Sequence, residues 1–303
     1  MHSPIPRPPD PGEYLITWIT PPDRGGGRVE VPLNPPGLDF FTLKTIAGLG
    51  VADREIQSSP SPDGGITIDG IRYTERQIVI PLRVRDRSDT MEFKARWRFI
   101  GQAFAKTARY GPGTIRLDYP DGTSRQIDAV YQSGWGNDPN DGAWIEDTCS
   151  VSFLAPDPFW RDTSPTVLER MTEAGVDYLD PYPNIGSGKV LGDTTLTNPG
   201  QVDVWPSWVI TGPMTSLTAT NNTRNQSFTL TYPLGAGETI TMSSRPIQVR
   251  GPAGQNLVNA LNLPTGKPWR LDADYESAVT FTAAGSGPGT SVVLSFTPGY
   301  ELA

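Results

Sequence analysis

A single cysteine, Cys149, and a single histidine, His2, stand in a chain of 303 residues. One thiol cannot close an internal disulfide, so nothing ties the chain to an oxidising compartment. One imidazole, in a Pro-rich N-terminal arm, leaves Ser-His-Asp and Cys-His devices without a positioned base. The same count leaves zinc without the Cys and His sets that usually bind it. Positive charge is short as well. Lys and Arg number 25 against 33 Asp and Glu, a formal charge of −8, whereas a surface that holds a phosphate backbone needs clustered cations. No run approaches the ~20 apolar residues of a membrane-spanning helix, and residues 1–12 lack the apolar centre of a secretory signal. The expectation is a soluble chain made in the cytoplasm, with no membrane attachment, no metal and no cofactor.

Breakers and aromatics are abundant. With 32 Gly and 31 Pro but no collagen-like period, and with 8 Trp, 10 Tyr and 10 Phe between the breakers, the composition favours many short strands over disorder. The length allows two domains. A hairpin is expected from Tyr14–Ile19 to Arg28–Val31, turning at Gly25-Gly26-Gly27 where positive φ is readily adopted. Residues 58–65, Ser-Ser-Pro-Ser-Pro-Asp-Gly-Gly, read as a mobile loop. Gln77–Arg85 is the cleanest strand. Ile78, Ile80, Leu82 and Val84 share a face, and Pro81, which cannot donate to a ladder, makes it an edge strand or bulged there.

One helix is expected after Asp89-Thr90-Met91-Glu92, which resembles a capping box. Phe93, Trp97, Ile100 and Phe104 then mark one face at helical spacing. Lys94, Arg96, Arg98 and Lys106 populate the other sides, the normal pattern of a solvated face. Ile115, Leu117 and Tyr119, turning at Pro120-Asp121-Gly122 into Ile127, Ala129 and Tyr131, form a second hairpin. Cys149 alternates with apolar neighbours in the strand that follows, as a small core residue does. Strands, a helix, a hairpin and a strand describe an α+β domain. Beyond residue 195 the chain is uniformly β-like, with candidates at Val204–Ile210, Ser216–Asn221, Ser227–Tyr232, Thr239–Ser243, Pro246–Arg250, Ser277–Thr282 and Ser291–Phe296. Their spacing is that of a sandwich.

Between these halves lies Phe153-Leu154-Ala155-Pro156-Asp157-Pro158-Phe159-Trp160. Pro156 and Pro158 remove two donors and extend the residues before them, so the entering strand must end here. Phe159 and Trp160 then need a surface. Either they fold back onto the preceding core, or they form a rigid elbow between two domains.

The search for chemistry returns little. Gly186-Ser187-Gly188-Lys189-Val190 fails as a phosphate loop, because Pro183 stands where a glycine is needed and Val190 where Ser or Thr is. Asn137–Gly142 has the composition of a calcium loop, but Pro139 and Thr148 fall on ligand positions. Asp272 and Asp274 are a carboxylate pair with no surrounding signature for glycoside hydrolysis. Exposed aromatics of a sandwich can stack on sugars. Trp269, read as the most exposed, and Tyr275 are the candidates, while Trp205 and Trp208 fall on opposite faces of one strand. No catalytic, cofactor or metal residue emerges, and the protein is not expected to be an enzyme.

Taken in order, these features resemble the phage distal tail protein, the Dit or siphovirus tail-component family. The residues that carry the resemblance are Arg76–Arg85, the helix Met91–Ala108 with Gly111-Pro112-Gly113, Tyr119–Gly122 with Ala129–Tyr131, and above all Val151–Trp160. In the second half they are Thr197–Gly200, Val204–Pro213 and Ser291–Tyr300. The resemblance implies a mainly β chain. Residues 1–12 would be a flexible arm, 13–160 an N-terminal ring-forming domain with one main helix, 161–192 a linker, and 193–303 a C-terminal galectin-like β-sandwich. It implies a hexameric ring at the tip of a long non-contractile tail, joining the tail-tube protein to hub, fibre or receptor-binding proteins. Genome DNA would pass the lumen without specific binding, which an acidic chain suits. A carbohydrate-binding adhesion module is the alternative. On this reading Pro156, Pro158, Phe159 and Trp160 form a domain junction with the aromatic pair as its wedge, and residues 1–160 alone oligomerise.

Overall fold

The computed structural model describes residues 14–34, 41–43, 46–85, 89–136, 146–172, 191–263 and 265–303. The arm 1–12, the Asn137–Gly142 segment and the Gly186–Val190 segment lie outside the described residues. The fold is mainly β and antiparallel, with one long helix. The chain divides into two compact units. Met1–Thr163 together with Tyr300–Ala303 make the first, and Ser164–Gly299 make the second.

In the first unit, β1 (Leu15–Ile19) pairs with β2 (Glu30–Pro32) as expected. The Asp23 carboxylate accepts from the backbone N–H of Gly25 and Gly27 and holds the turn. There follow β3 (Phe41–Leu43), β4 (Arg54–Pro60), β5 (Ile66–Tyr73) and β6 (Arg76–Arg85). The helices α1 (Thr90–Ala105) and α2 (Thr107–Tyr110) lead to β7 (Gly113–Asp118), β8 (Ser124–Ser133), β9 (Glu146–Ala155) and β10 (Trp160–Asp162). One sheet runs β2-β1-β7-β8-β9-β6-β3, β10 pairs with β8, and the last strand of the chain pairs with β10. The pair β4–β5 stands apart as a two-stranded ribbon.

The strand β6 is not at an edge, because β9 pairs along its whole length and β3 lies on the other side. Val79 exchanges both backbone bonds with Ala47, so odd-numbered residues of β6 direct their backbone groups to that side. Pro81 falls where the partner changes from Ala47 opposite Val79 to Thr42 opposite Arg83. The missing donor of the proline faces this side, and β6 runs against β9 without a register shift, so the strand is neither an edge nor bulged at Pro81.

The helix begins as expected. Asp89 is the N-cap, and its carboxylate accepts from the Met91 N–H at 3.0 Å. Phe93, Trp97, Ile100 and Phe104 are buried, with Ala103 added. Trp18 of β1 donates from Nε1 to the Ala103 carbonyl at 3.3 Å, and its ring meets Phe104 edge-on at 5.9 Å. Burial of four large side chains, each contributing about 1.5–3 kcal/mol, holds this helix to the sheet; propensity alone would not. The helix is shorter than expected, and α2 continues it to Gly111, whose φ of 88° ends it.

The second unit is a β-sandwich of β11 (Thr166–Met171), β12 (Asp193–Asn198), β13 (Ser207–Thr211), β14 (Met214–Asn221), β15 (Gln226–Leu234), β16 (Thr239–Ser244), β17 (Ile247–Arg250), β18 (Tyr275–Ala284) and β19 (Ser291–Phe296). The sheets run β11-β19-β13-β16-β17 and β12-β18-β14-β15. The expected linker therefore contains structure. Arg161 and Asp162 belong to β10, and β11 pairs residue for residue with β19. The apolar alternation of β11 is weak, which is why its sequence did not read as a strand.

Trp208 sits at the centre of the sandwich core, with Phe228, Trp269 and Phe281 edge-on to it at 5.1–6.0 Å. Its Nε1 donates to Ser244 Oγ, which donates in turn to the Pro206 carbonyl. Both indole and hydroxyl are thereby satisfied in an apolar surround.

Candidate assembly surface

The ribbon β4–β5 is the feature the sequence reading missed: the loop expected over Ser58–Gly65 takes in the end of β4, and β5 carries no expectation. The turn of the ribbon is confined to Ser61–Gly65, where the Ser61 N–H donates to the Gly65 carbonyl, the Gly64 N–H donates to the Ser61 carbonyl, and Gly64 and Gly65 take φ of 91° and 82°. Ser58, Ser59 and Pro60 belong to the strand. Along β4, Ile56, Ser58 and Pro60 alternate onto one face. Their cross-strand partners are Ile71, Ile68 and Ile66, and directly opposed residues share a face. A strict alternation would put Ile68 and Ile71 on opposite faces. The register shift between Gln57 and Ser58, which opposes Gly70 and then Ile68 and leaves Asp69 as the extra residue, restores them to the same side.

The result is an amphipathic ribbon. Ile56, Ile66, Ile68 and Ile71 lie together on one face, each 57–68 % exposed. Glu55, Gln57, Ser59, Thr67 and Arg72 fall on the other, where Ser59 Oγ donates to Asp69 at 3.0 Å. A hairpin of two strands is marginal by itself in water, and four clustered exposed isoleucines are a surface that solvent does not favour.

The base of the ribbon is anchored by the C-terminus. The Glu301 carboxylate accepts from the Tyr73 hydroxyl at 2.6 Å and from Arg54. The hydrogen bond from Tyr73 is the largest cause holding that carboxyl below its ordinary range, and Arg54 adds to it. Phe159 packs edge-on against Tyr73 at 4.8 Å. Beneath them Arg76, 3 % exposed, donates from Nε to the Pro158 carbonyl, from Nη1 to those of Gly48 and Gly50, and from Nη2 to that of Glu301, at 2.6–2.8 Å. Burial lowers the pKa of this guanidinium against the pull of Asp53 and Glu301. Ala303 N–H donates to the Leu49 carbonyl, and Tyr300 donates to Asp162 with Arg125 stacked over its ring at 3.6 Å. Arg76 and three C-terminal residues, Tyr300, Glu301 and Ala303, thus join β6, the 48–50 loop and the turn before β10.

The outer side of α1 offers a second exposed apolar stripe. Met91, Ala95 and Phe99 recur at every fourth residue opposite the buried face, with Met91 68 % and Phe99 48 % exposed. Arg98 lies on the same outward side, and Lys106 and Arg109 follow it.

The residues singled out from sequence fare unevenly. Pro156 is exposed and Pro158 buried. Trp160 is fully buried in the core of the first unit, and Phe159 packs on Tyr73 of the same unit. The surface they needed is that of their own domain, so the expected wedge is corrected to a turn folded back on the preceding core. Trp269 is corrected too. It is 1 % exposed, donates to the Ala219 carbonyl at 3.3 Å, and has no free ring face for a sugar. Trp269→Ala should lower the stability of the second unit by about 3–5 kcal/mol, as large-to-small core changes do; chemical denaturation checks it, and an unchanged midpoint would refute this placement. Tyr275 is 50 % exposed. Trp208 is buried in β13, but Trp205 precedes that strand rather than lying within it, and is partly exposed. Asp272 is held by Arg224, whose Nε donates to it at 2.8 Å, and Asp274 has a φ of 48°. Cys149 is buried, and desolvation pushes its thiol up to about 12, so it stays protonated and unreactive. Among the described residues no group of acidic, His and Cys side chains is arranged to hold a metal ion, and no helix is long and apolar enough to cross a membrane.

No family model and no curated protein matches the chain. Solved structures do. The SPP1 Dit (gp 19.1) protein, described as a paradigm of the hub adsorption apparatus in phages infecting Gram-positive hosts, superposes with a TM-score of 0.65 at 13% identity, over 95% of this chain and 99% of that one. A chain of the phage P2 baseplate in its activated conformation with Ca superposes with a TM-score of 0.57 at 8% identity, over 96% of this chain and 100% of that one. The same baseplate with Sr superposes with a TM-score of 0.57 at 10% identity and the same coverage. At these identities the likeness is one of fold, and it runs through both units.

Proposed function

We propose that this chain is a structural component of a phage virion, a distal tail adaptor of the Dit type whose copies assemble into a ring at the tail tip. The observation that carries this reading is the β4–β5 ribbon, whose four clustered isoleucines stay more than half exposed, a face that a second protein surface would cover. The fold likeness to hub and baseplate chains supplies the kind of assembly. A ring requires each copy to present two different complementary patches, because a heterologous contact that repeats around an axis closes on itself. Six copies, the number implied by the family resemblance, would join the tail-tube protein on one side to hub or receptor-binding proteins on the other. DNA would pass through the lumen, where the acidic balance of the chain discourages adhesion. The role is structural rather than catalytic. The adhesion alternative loses its main support, because the ring of Trp269 is sequestered in the core.

Mass measurement of the purified full-length chain over a range of concentrations tests this. The expected species is a multiple of 32.9 kDa that persists on dilution. A strictly single-chain species at high concentration would overturn it.

A further inference from the structure

We infer that the outer face of the five-stranded sheet in the second unit binds an anionic saccharide, along a groove that runs from Arg250 towards Trp205. The site lies within one unit and does not depend on the ring reading. Trp208, Ile210, Met242 and Val249 point into the core, so the alternating residues Ser207, Val209, Thr241, Ser243, Gln248 and Arg250 point outward. Cross-strand pairing sets Ser207, Ser243 and Gln248 in one row and Val209, Thr241 and Arg250 in the next. Small side chains of β13 and β16 make the floor, and the longer Gln248 and Arg250 of the edge strand β17 stand beside it as a wall. The groove they bound is about 240 Å³. Arg245 and Trp205 lie at its end, each two residues outside the Ser207–Ser243 pair, with the Arg245 Cζ 5.9 Å from the centre of the indole. Trp205 is 36 % exposed. This aromatic is neither of the two singled out from sequence.

The side chains match the parts of such a ligand. The indole offers a flat apolar face for the C–H side of a sugar ring. Ser207, Thr241 and Gln248 make no side-chain bond among the described residues, so their hydroxyls and amide are free for ring hydroxyls. Val209 is the one apolar side chain of the floor, too little for the apolar anchor a protein partner would need. The arginines supply the charge. Elsewhere in the second unit Arg224 is held by Asp272, Arg270 by Asp203, and Arg170 donates to Thr194. Arg245 and Arg250 have no carboxylate partner among the described residues, in a chain of net charge −8. Glu169 is the one carboxylate at an outward position of this sheet, on β11 at the far end of the Arg250 row, four strand spacings or ~19 Å away. From Thr241, opposite Arg250, to Arg245 is ~13 Å along the chain. An oligosaccharide of a few rings therefore reaches both guanidiniums, whose planar forks suit a carboxylate or a phosphate alike.

Isothermal titration of the full-length chain decides it, with tri-galacturonate, phosphorylated maltotriose, neutral maltotriose and inorganic phosphate as probes. At least one of the two charged oligosaccharides is expected to bind about tenfold or more tightly than neutral maltotriose, as a charged hydrogen bond provides. The stronger of the two identifies the anion as carboxylate or phosphate. Arg250→Gln should remove that advantage and leave the neutral probe unchanged, whereas Trp205→Ala should weaken all three oligosaccharides. Tyr275→Ala, on the opposite sheet, should change nothing. Failure of both charged oligosaccharides to bind, or binding indifferent to Arg250→Gln, would overturn the inference. Inorganic phosphate binding as tightly as phosphorylated maltotriose would reduce the groove to an adventitious ion only. Loss of binding in Tyr275→Ala would move the site to the other sheet. Should Trp205→Ala unfold the sandwich, Trp205→Phe, which keeps a stacking face, is expected to retain binding and Arg245→Gln to weaken it. None of these results bears on the mass of the assembly, so the inference and the ring reading fail separately.

Discussion

Replacing Ile68 and Ile71 together with Asp converts the assembled protein into a folded single chain. Both side chains are more than half exposed in the isolated unit, so little core packing is lost, and the melting temperature is expected to shift by no more than a few degrees. Their cost falls on association. Central residues of an interface cost about 2 kcal/mol or more when truncated, and a buried carboxylate without a partner adds to that. Two such changes are therefore expected to weaken each contact by a thousandfold or more, since about 1.4 kcal/mol is a factor of ten. Light scattering after size exclusion reads the mass, and calorimetry reads the fold. Glu55→Lys with Thr67→Lys, on the polar face of the same ribbon, should leave the mass unchanged. Persistence of the full assembly in the double Asp variant would show that the ribbon is not the contact, and unfolding would show that it is part of the core.

How much of this was legible in the sequence depends on whether the controlling interactions are local. The helical stripe Phe93, Trp97, Ile100 and Phe104 and the β7–β8 hairpin follow from period and turn chemistry within a few residues, and both formed as expected. The ribbon was not legible, because the sharing of a face by Ile56, Ile66, Ile68 and Ile71 depends on the extra residue at Asp69. Period-two reading splits these residues between two faces and sees no pattern. Trp269 was misplaced for a related reason. Its partners Trp208 and Ala219 come from β13 and β14, far along the chain, and the local sequence Gly-Lys-Pro-Trp-Arg resembles an exposed turn. The division of the chain was also obscured. Residues Tyr300–Ala303 return to the first unit, and nothing in Tyr-Glu-Leu-Ala announces that.

Arg76 is where that return has its largest consequence. Its four carbonyl acceptors lie 26, 28, 82 and 225 residues away, and since they are backbone groups no side-chain motif marks them. Arg76→Met leaves buried carbonyls of Gly48, Gly50, Pro158 and Glu301 without donors. The loss expected for breaking a buried charged network is about 3–5 kcal/mol, equivalent to roughly 6–20 °C in a unit of this size. Arg76→Lys should recover little, because a compact ammonium cannot span acceptors that a planar guanidinium reaches on separate sides. Arg54→Ala, which removes an exposed and solvent-screened pair with Glu301, should move the melting far less than Arg76→Met. In calorimetry of the full chain the melting of the first unit falls in Arg76→Met and that of the sandwich does not move; equal shifts in both would contradict the placement of Arg76. The same network revises the expectation that residues 1–160 suffice to assemble. A chain cut there lacks Arg161–Thr163, the Glu301 acceptor of Arg76, and the bond from Ala303 to Leu49. Supplying Tyr300–Ala303 through a short linker after Thr163 restores those partners, and that version, not the bare truncation, is expected to fold with its ribbon anchored.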